Sequence, residues 1–139
     1  EYGVGKMTEG YLTELSRSKR VASVEQLVDD FWDRYYARIK PWYQPESDDV
    51  ILTASFGLTV GEACRRLGVR NLVASEVDVE TMKVTTLNFN TNKTKRFREL
   101  YGPDAVIDEF YTDSKFDQPM IDMARHAFMV KGNTITQVK

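Results

Sequence analysis

Residues 50–68 read VILTASFGLTVGEACRRLG, and the order of apolar and small polar side chains in this stretch decides the class of fold. Val50, Ile51 and Leu52 form a short apolar run that ends in small polar residues, which suits a strand buried on both faces of a parallel sheet. Val60, Ala63, Cys64 and Leu67 then recur at helical spacing, with Gly68 placed to cap the helix. The same alternation continues downstream. Asn71 to Ala74 reads as the next strand, and Val77 to Phe89 alternates loosely enough to be a hairpin. Asn92 can cap a helix carrying Phe97 and Leu100 that Gly102 and Pro103 stop. A strand follows through Ile107 to Tyr111, then a short helix from Pro119 to Arg125 and a buried strand over Ala127 to Val130. Gly132-Asn133 turns the chain into Thr134 to Val138. Strand and helix alternating from residue 50 onward predict an α/β fold, an open and mainly parallel sheet with helices on its faces.

Working outward, Gln44 to Asp49 is a polar, proline-containing loop and the natural boundary before this series. Upstream of it the chain is helical and aromatic. Ser23 and Gln26 stand three apart before an apolar series, the pattern of a capping box, so a helix is predicted from about Val24. Leu27, Val28, Phe31, Tyr35 and Ile39 form its stripe, Asp29, Asp30, Asp33 and Arg34 its polar faces, and Pro41 its end. A weaker helix is predicted over Thr8 to Arg17, with Tyr11, Leu12 and Leu15 as its apolar positions.

The 139 residues suffice for one compact domain. With 42% apolar and 29% charged residues, the chain can build a core and is not disordered as a whole. Nineteen Lys and Arg against 21 Asp and Glu give a net charge of −2, so no global basic field draws a polyanion, and nucleic acid is excluded as the default partner. A mean hydropathy of −0.44 and apolar runs under a dozen residues exclude a membrane span, and a cytoplasmic location is expected. The single cysteine, Cys64, can form neither an internal disulfide nor a zinc cluster, and its place on a helical stripe makes it a small core residue.

Open parallel sheets bind ligands at the carboxyl ends of their strands, which directs attention to three places. Thr53, with Ser55 close behind, follows the first strand and can present a hydroxyl and backbone N–H groups to an anionic oxygen. Lys93 stands at a predicted helix start and projects from the same side as Phe97 and Leu100, where its ammonium can serve a phosphate as a point charge; Lys95 is its neighbour and competitor. The third place is Tyr111-Thr112-Asp113-Ser114-Lys115-Phe116-Asp117-Gln118-Pro119-Met120, in which an apolar strand runs into two carboxylates four apart. Hard oxygen ligands at a strand end are what magnesium takes, with waters and substrate phosphate completing its shell. The same residues equally suit an Asp-Ser turn with Asp117 as the N-cap of the next helix.

Asp113-Ser114-x-x-Asp117-x-Pro119-Met120 resembles the fourth motif of the haloacid-dehalogenase-like superfamily, in its phosphoserine-phosphatase-like branch. Thr53 in Leu52-Thr53-Ala54-Ser55 resembles the second motif and Lys93 the third, in matching order, over about residues 50 to 130. The resemblance implies a Rossmann-like three-layer core over 47–139, a partial helical cap over 1–46, and magnesium-dependent hydrolysis of a small phosphorylated substrate through an aspartyl-phosphate. By the same resemblance Asp113 binds Mg2+, Thr53 and Lys93 hold the transferring phosphoryl group, and Ser55 lies at the substrate. Asp117 orients the site or reaches the metal through water. Such chemistry asks the protein for positioning and charge neutralisation more than for bond-making.

The family's first motif, Asp-x-Asp, does not occur in this sequence. Asp29-Asp30 and Asp33 belong to an amphipathic helix, and Asp48-Asp49 precedes a strand rather than ending one. The expectation is therefore a carboxyl-terminal part of a longer phosphatase, inactive on a generic aryl phosphate as it stands, with the nucleophile upstream. Loss of a central strand would expose a sheet edge and favour self-association. The alternative from another class is a non-catalytic α/β domain acting in binding or assembly; a nucleotide-binding Rossmann domain ranks below it for want of a Gly-x-Gly-x-x-Gly loop. The aromatic residues Phe31, Trp32, Tyr35, Tyr36, Trp42 and Tyr43 read as packing or as the lining of a cap, and His126 reads as structural or exposed.

Overall fold

The structure, a computed structural model, describes residues 22–139. The helix expected over Thr8 to Arg17 lies outside them. The described chain is α/β, with six strands in two three-stranded sheets. It divides into two compact units, one running through Asn88 and the other comprising Phe89–Lys139.

In the first unit α1 spans Ala22–Tyr35, β1 Val50–Phe56, α2 Gly57–Leu67, β2 Asn71–Asp78 and β3 Lys83–Thr86. Ser23 lies within helix α1 instead of in front of it, and the Gln26 amide donates to Asp30 Oδ1 at 2.9 Å. The helix ends at Tyr35 and gives way to a single 3-10 turn, Tyr36–Arg38, with Ile39 extended; the chain has left helical geometry before Lys40, whose place ahead of Pro41 disfavours it. Val24 and Val28 on one face of α1 bury against Phe56, with Leu27, Trp32, Leu58, Val77, Val79 and Met82 packed around them. Helix α1 thus shares its hydrophobic cluster with β1 and β2. The Trp32 indole donates to the Thr59 carbonyl, and Phe31 packs its ring on Trp32 and Tyr35. The aromatic stripe of α1 is therefore engaged in packing.

Helix α2 turns Ala63 and Cys64 inward, and Gly68, at φ +76°, closes it in the left-handed conformation that a side chain would strain. Arg66 joins the two helices. It pairs with Glu62 at 2.9 Å and with Asp33 at 2.9 Å, and donates to the Asp29 carbonyl. Strands β1 and β2 are parallel, connected through α2, while β3 returns antiparallel to β2. The tight turn before β3 is held by Asp78 Oδ1, which accepts from the Glu80 and Thr81 N–H groups.

In the second unit α3 spans Thr91–Tyr101, β4 Ile107–Thr112, α4 Gln118–Met123, β5 Ala124–Lys131 and β6 Thr134–Gln137. A 3-10 turn, Lys115–Asp117, leads into α4. Strands β4 and β5 are parallel and β6 is antiparallel to β5, closed by the Gly132-Asn133 turn. Phe97, Met120, Ile121, Ala124 and Ala127 are the buried apolar residues, whereas Leu100, expected beside Phe97, is exposed. Helix α3 starts at Thr91, so Asn92 lies inside it, and the residue in front is Asn90, in the left-handed half of φ at +50° with no side-chain cap bond. Among the described residues no helix is long and apolar enough to cross a membrane.

Candidate functional site

Strand β4 delivers the stretch singled out from the sequence. Its last residue, Thr112, is buried; Asp113 is exposed, Ser114 buried, and Asp117 buried at the end of the 3-10 turn. Two hydroxyls hold this turn. Thr112 Oγ1 accepts from the Ser114 N–H at 3.0 Å, and Ser114 Oγ accepts from the Phe116 N–H at 3.2 Å. With its two neighbours anchored inward, Asp113 faces solvent, and its carboxylate has no partner among the described residues.

Asp117 precedes α4 but makes no cap hydrogen bond with it. Its carboxylate turns the other way. Oδ1 accepts from Lys93 Nζ at 2.6 Å, and Oδ2 accepts from the Thr112 hydroxyl at 2.7 Å. The N-cap alternative is thus replaced by an ion pair between residues 24 apart in the chain. The side chains of Lys93 and Asp117 are 1% and 7% exposed, so both charges are withdrawn from water and depend on each other. Lys95 is exposed, and of the two lysines it is Lys93 that pairs with Asp117. Lys93 reaches the pair from the first turn of α3, where its backbone N–H donates to the Asn90 carbonyl. A helix start disfavours a cation, and the Asp117 carboxylate offsets that cost. Phe89 and Phe116, each a short distance in sequence from a member of the pair, bring their rings to 5.7 Å.

Thr53 and Ser55 belong to the first unit. Strand β1 runs on to Phe56 rather than ending at Leu52, and between Leu52 and Phe56 its register against β2 shifts. Thr53, Ala54 and Ser55 there face the single residue Ala74, so Thr53 lies in a bulge within the strand and not at its end. Its hydroxyl oxygen accepts from the Ser55 N–H at 3.0 Å. Its carbonyl accepts from Asn88 Nδ2 at 2.9 Å, and the same amide reaches the Val73 carbonyl at 3.0 Å, while the Asn88 N–H donates to Ser75 Oγ at 2.8 Å. Fully buried Asn88 therefore spans β1 and β2 at the bulge, with its Oδ1 lacking a partner among the described residues.

The acidic loop ahead of β1 gathers Glu46, Asp48 and Asp49, with one carboxylate oxygen from each within 4.8 Å of the others. Asp49 Oδ2 accepts there from the Tyr43 hydroxyl and the Glu46 N–H, both at 3.0 Å. Burial, reinforced by the Asp49 carboxylate, pushes the Tyr43 phenol well above its ordinary value. These bonds order a loop, and two of the three carboxylates lie in open solvent.

As a donor set for a metal, Asp113 fits a hard divalent cation: an exposed carboxylate at a strand end, without a competing partner among the described residues, leaves the rest of the shell to water and phosphate. Asp117 fits less directly, because each of its oxygens already accepts one short hydrogen bond. Two residues at these places were not singled out from the sequence. Thr112 was readable as a strand end two residues before a serine, the spacing of a hydroxyl-bonded turn. Asn88 had only its turn-rich surroundings, Asn88-Phe89-Asn90, to mark it.

No family model, curated protein or solved structure matches the chain.

Proposed function

We propose that the chain is the phosphate-handling part of a magnesium-dependent phosphomonoester hydrolase of the haloacid-dehalogenase-like type. The observation that carries this reading is the buried Lys93–Asp117 pair beside Asp113, which has no partner among the described residues, at the carboxyl end of β4. In this reading the core is Rossmann-like with a mainly parallel sheet, supported by two parallel strand pairs, each joined through a helix. Asp113 would hold Mg2+, while Asp117, both of whose oxygens already accept hydrogen bonds, would orient the site. When bound, the metal neutralises charge on the phosphoryl oxygens. Lys93 supplies a fixed positive charge, and Asp117 holds that ammonium in place before substrate arrives, so little reorganisation remains for the transition state. In the first unit, a lone pair of the Thr53 hydroxyl holds the Ser55 N–H, which leaves its proton free to be donated. The attacking carboxylate is supplied by a strand outside these 139 residues.

A titration of the 15N-labelled chain with MgCl2 and inorganic phosphate tests this. Resonances of Asp113 to Asp117 and of Lys93 are expected to shift with both ligands together, and Asp113→Asn to abolish the magnesium response. No shift in that segment at millimolar ligand would refute the proposal. In a longer chain that carries the nucleophile, Thr53→Ala is expected to lower kcat by roughly two to three orders of magnitude. A second reading, a binding or assembly domain without catalysis, is favoured by the edge positions of β1 and β4 in their sheets.

A further inference from the structure

We propose that Thr112 is a positioning residue, whose hydroxyl fixes the Asp117 carboxylate against Lys93 and ties the Asp113 turn to that pair. The functional consequence rests on the phosphoryl-site reading above, while the physical content rests on the Thr112 geometry alone. The direction of its hydrogen bonds follows from chemistry. An ionised carboxylate has no proton to give, so the 2.7 Å contact to Asp117 Oδ2 uses the single hydroxyl proton of Thr112. The Ser114 N–H, 3.0 Å away, then meets an oxygen lone pair. One hydroxyl thus serves one donor bond and one acceptor bond at a buried position.

The terminal torsion of an aspartate is broad, so a carboxylate held only at Oδ1 can pivot. The bond at Oδ2 removes that freedom and aims Oδ1 at the ammonium, 2.6 Å from it. The other bond closes the turn on the near side of Asp113, and Ser114 Oγ closes it on the far side through the Phe116 N–H. Thr112 therefore sets two things together: the placement of the Lys93 charge and the outward aim of the Asp113 carboxylate. Among the four residues Thr112, Asp113, Ser114 and Asp117, only Asp113 is exposed.

The test is an NMR measurement on the full 15N-labelled chain, following the lysine ammonium signals, with that of Lys93 assigned by its loss in Lys93→Arg. A buried, ion-paired ammonium is expected to give a protected signal. Thr112→Val keeps the shape and removes the hydroxyl; it is expected to accelerate exchange of that signal with water by about tenfold or more, because a charge-assisted hydrogen bond is lost. Thr112→Ser restores the hydroxyl and is expected to restore the wild-type signal. An unchanged signal in Thr112→Val, or a loss as large in Thr112→Ser, overturns the proposal. Should Thr112→Val not fold, the Thr112 hydroxyl proton of the wild-type chain decides: a slowly exchanging proton with a cross-peak to Lys93 supports the role, and an exchange-averaged one overturns it. Addition of MgCl2 and inorganic phosphate separates the two readings. A silent titration with the ammonium behaving as stated removes the phosphoryl reading and supports the role of Thr112; ligand shifts that Thr112→Val leaves intact, with an unchanged ammonium signal, overturn Thr112 alone.

Discussion

Replacing Lys93 by methionine is expected to destabilise the fold by about 3–5 kcal/mol, the range for removing one partner of a buried ion pair. The side chains of Lys93 and Asp117 are 1% and 7% exposed, so the pair lies outside the solvent-screened regime in which an ion pair is worth about 0–1 kcal/mol. Methionine retains most of the stem volume, which keeps the packing loss small. What remains is a buried Asp117 carboxylate whose Oδ1 has lost its 2.6 Å donor while Oδ2 keeps the Thr112 hydroxyl. Asp117→Asn makes the mirror-image error, taking the Asp117 carboxylate charge from the buried ammonium, and belongs in the same range. Removing both charges is a different perturbation. Lys93→Met with Asp117→Leu and Thr112→Val leaves no buried charge and no stranded hydroxyl, and is expected to recover most of the loss. Urea unfolding followed by far-UV circular dichroism measures this as a shift of midpoint at unchanged slope. A loss below about 1 kcal/mol for either single variant would place the pair in the surface regime and refute the claim that Lys93 is held by Asp117.

Hydrogen bonds from Arg65 and Arg66 hold the Glu62 carboxyl down, from 4.5 to about 2. Because the folded value lies below the unfolded one, this contribution is complete above pH 4.5 and fades as pH falls towards 2; the stability gap between wild type and Glu62→Gln should close over that window in urea titrations, and a constant gap would contradict it. Asn88→Leu strips the Thr53 and Val73 carbonyls of their amide donor and is expected to cost about 1–3 kcal/mol for each carbonyl left buried and unsatisfied, read from the urea midpoint.

Where most of the described elements lie was legible because apolar runs are bounded by residues with one local meaning, although the helix read over Pro119 to Arg125 ends at Met123 with β5 starting at Ala124, and the strand read over Asn71 to Ala74 runs on to Asp78. Gly68 marks the end of α2 and Gly102 that of α3, and Gly132-Asn133 opens the turn into β6. The partition into two three-stranded sheets was not legible, since strand pairing is a long-range choice on which residues 71 to 78 or 124 to 131 carry no local signal. At the site the same contrast holds. Asp117 before a proline-opened helix has the local chemistry of an N-cap, and Lys93, 24 residues away, draws its carboxylate elsewhere together with Thr112. Thr53 misled for a local reason: Thr, Ala and Ser after an apolar run look like the end of a strand, whereas small side chains also permit a bulge inside one. Thr112 went unread because a threonine closing a strand needs no explanation beyond its β preference.

The charges in the second unit bear on what this site can receive. A buried ion pair contributes little to stability over apolar residues of the same volume, so packing alone gives no reason to bury Lys93 and Asp117 in a unit whose other buried residues include Phe97, Met120 and Ile121. Location gives one, since the pair stands at the carboxyl end of a parallel strand, where open α/β sheets gather their ligands. Its own charges cancel, however, and the exposed Asp113 carboxylate leaves the group negative by one; Lys115 is exposed, lies over the Phe116 ring, and is screened by solvent. A phosphate dianion approaching this group alone meets net repulsion. A divalent cation at Asp113 reverses the sign to positive by one, and the ammonium then adds to an attraction instead of opposing a carboxylate. Phosphate binding should therefore depend on magnesium, with magnesium binding first and Asp113 as its point of entry, whereas a site in which Lys93 alone captured phosphate would bind it equally well with EDTA present.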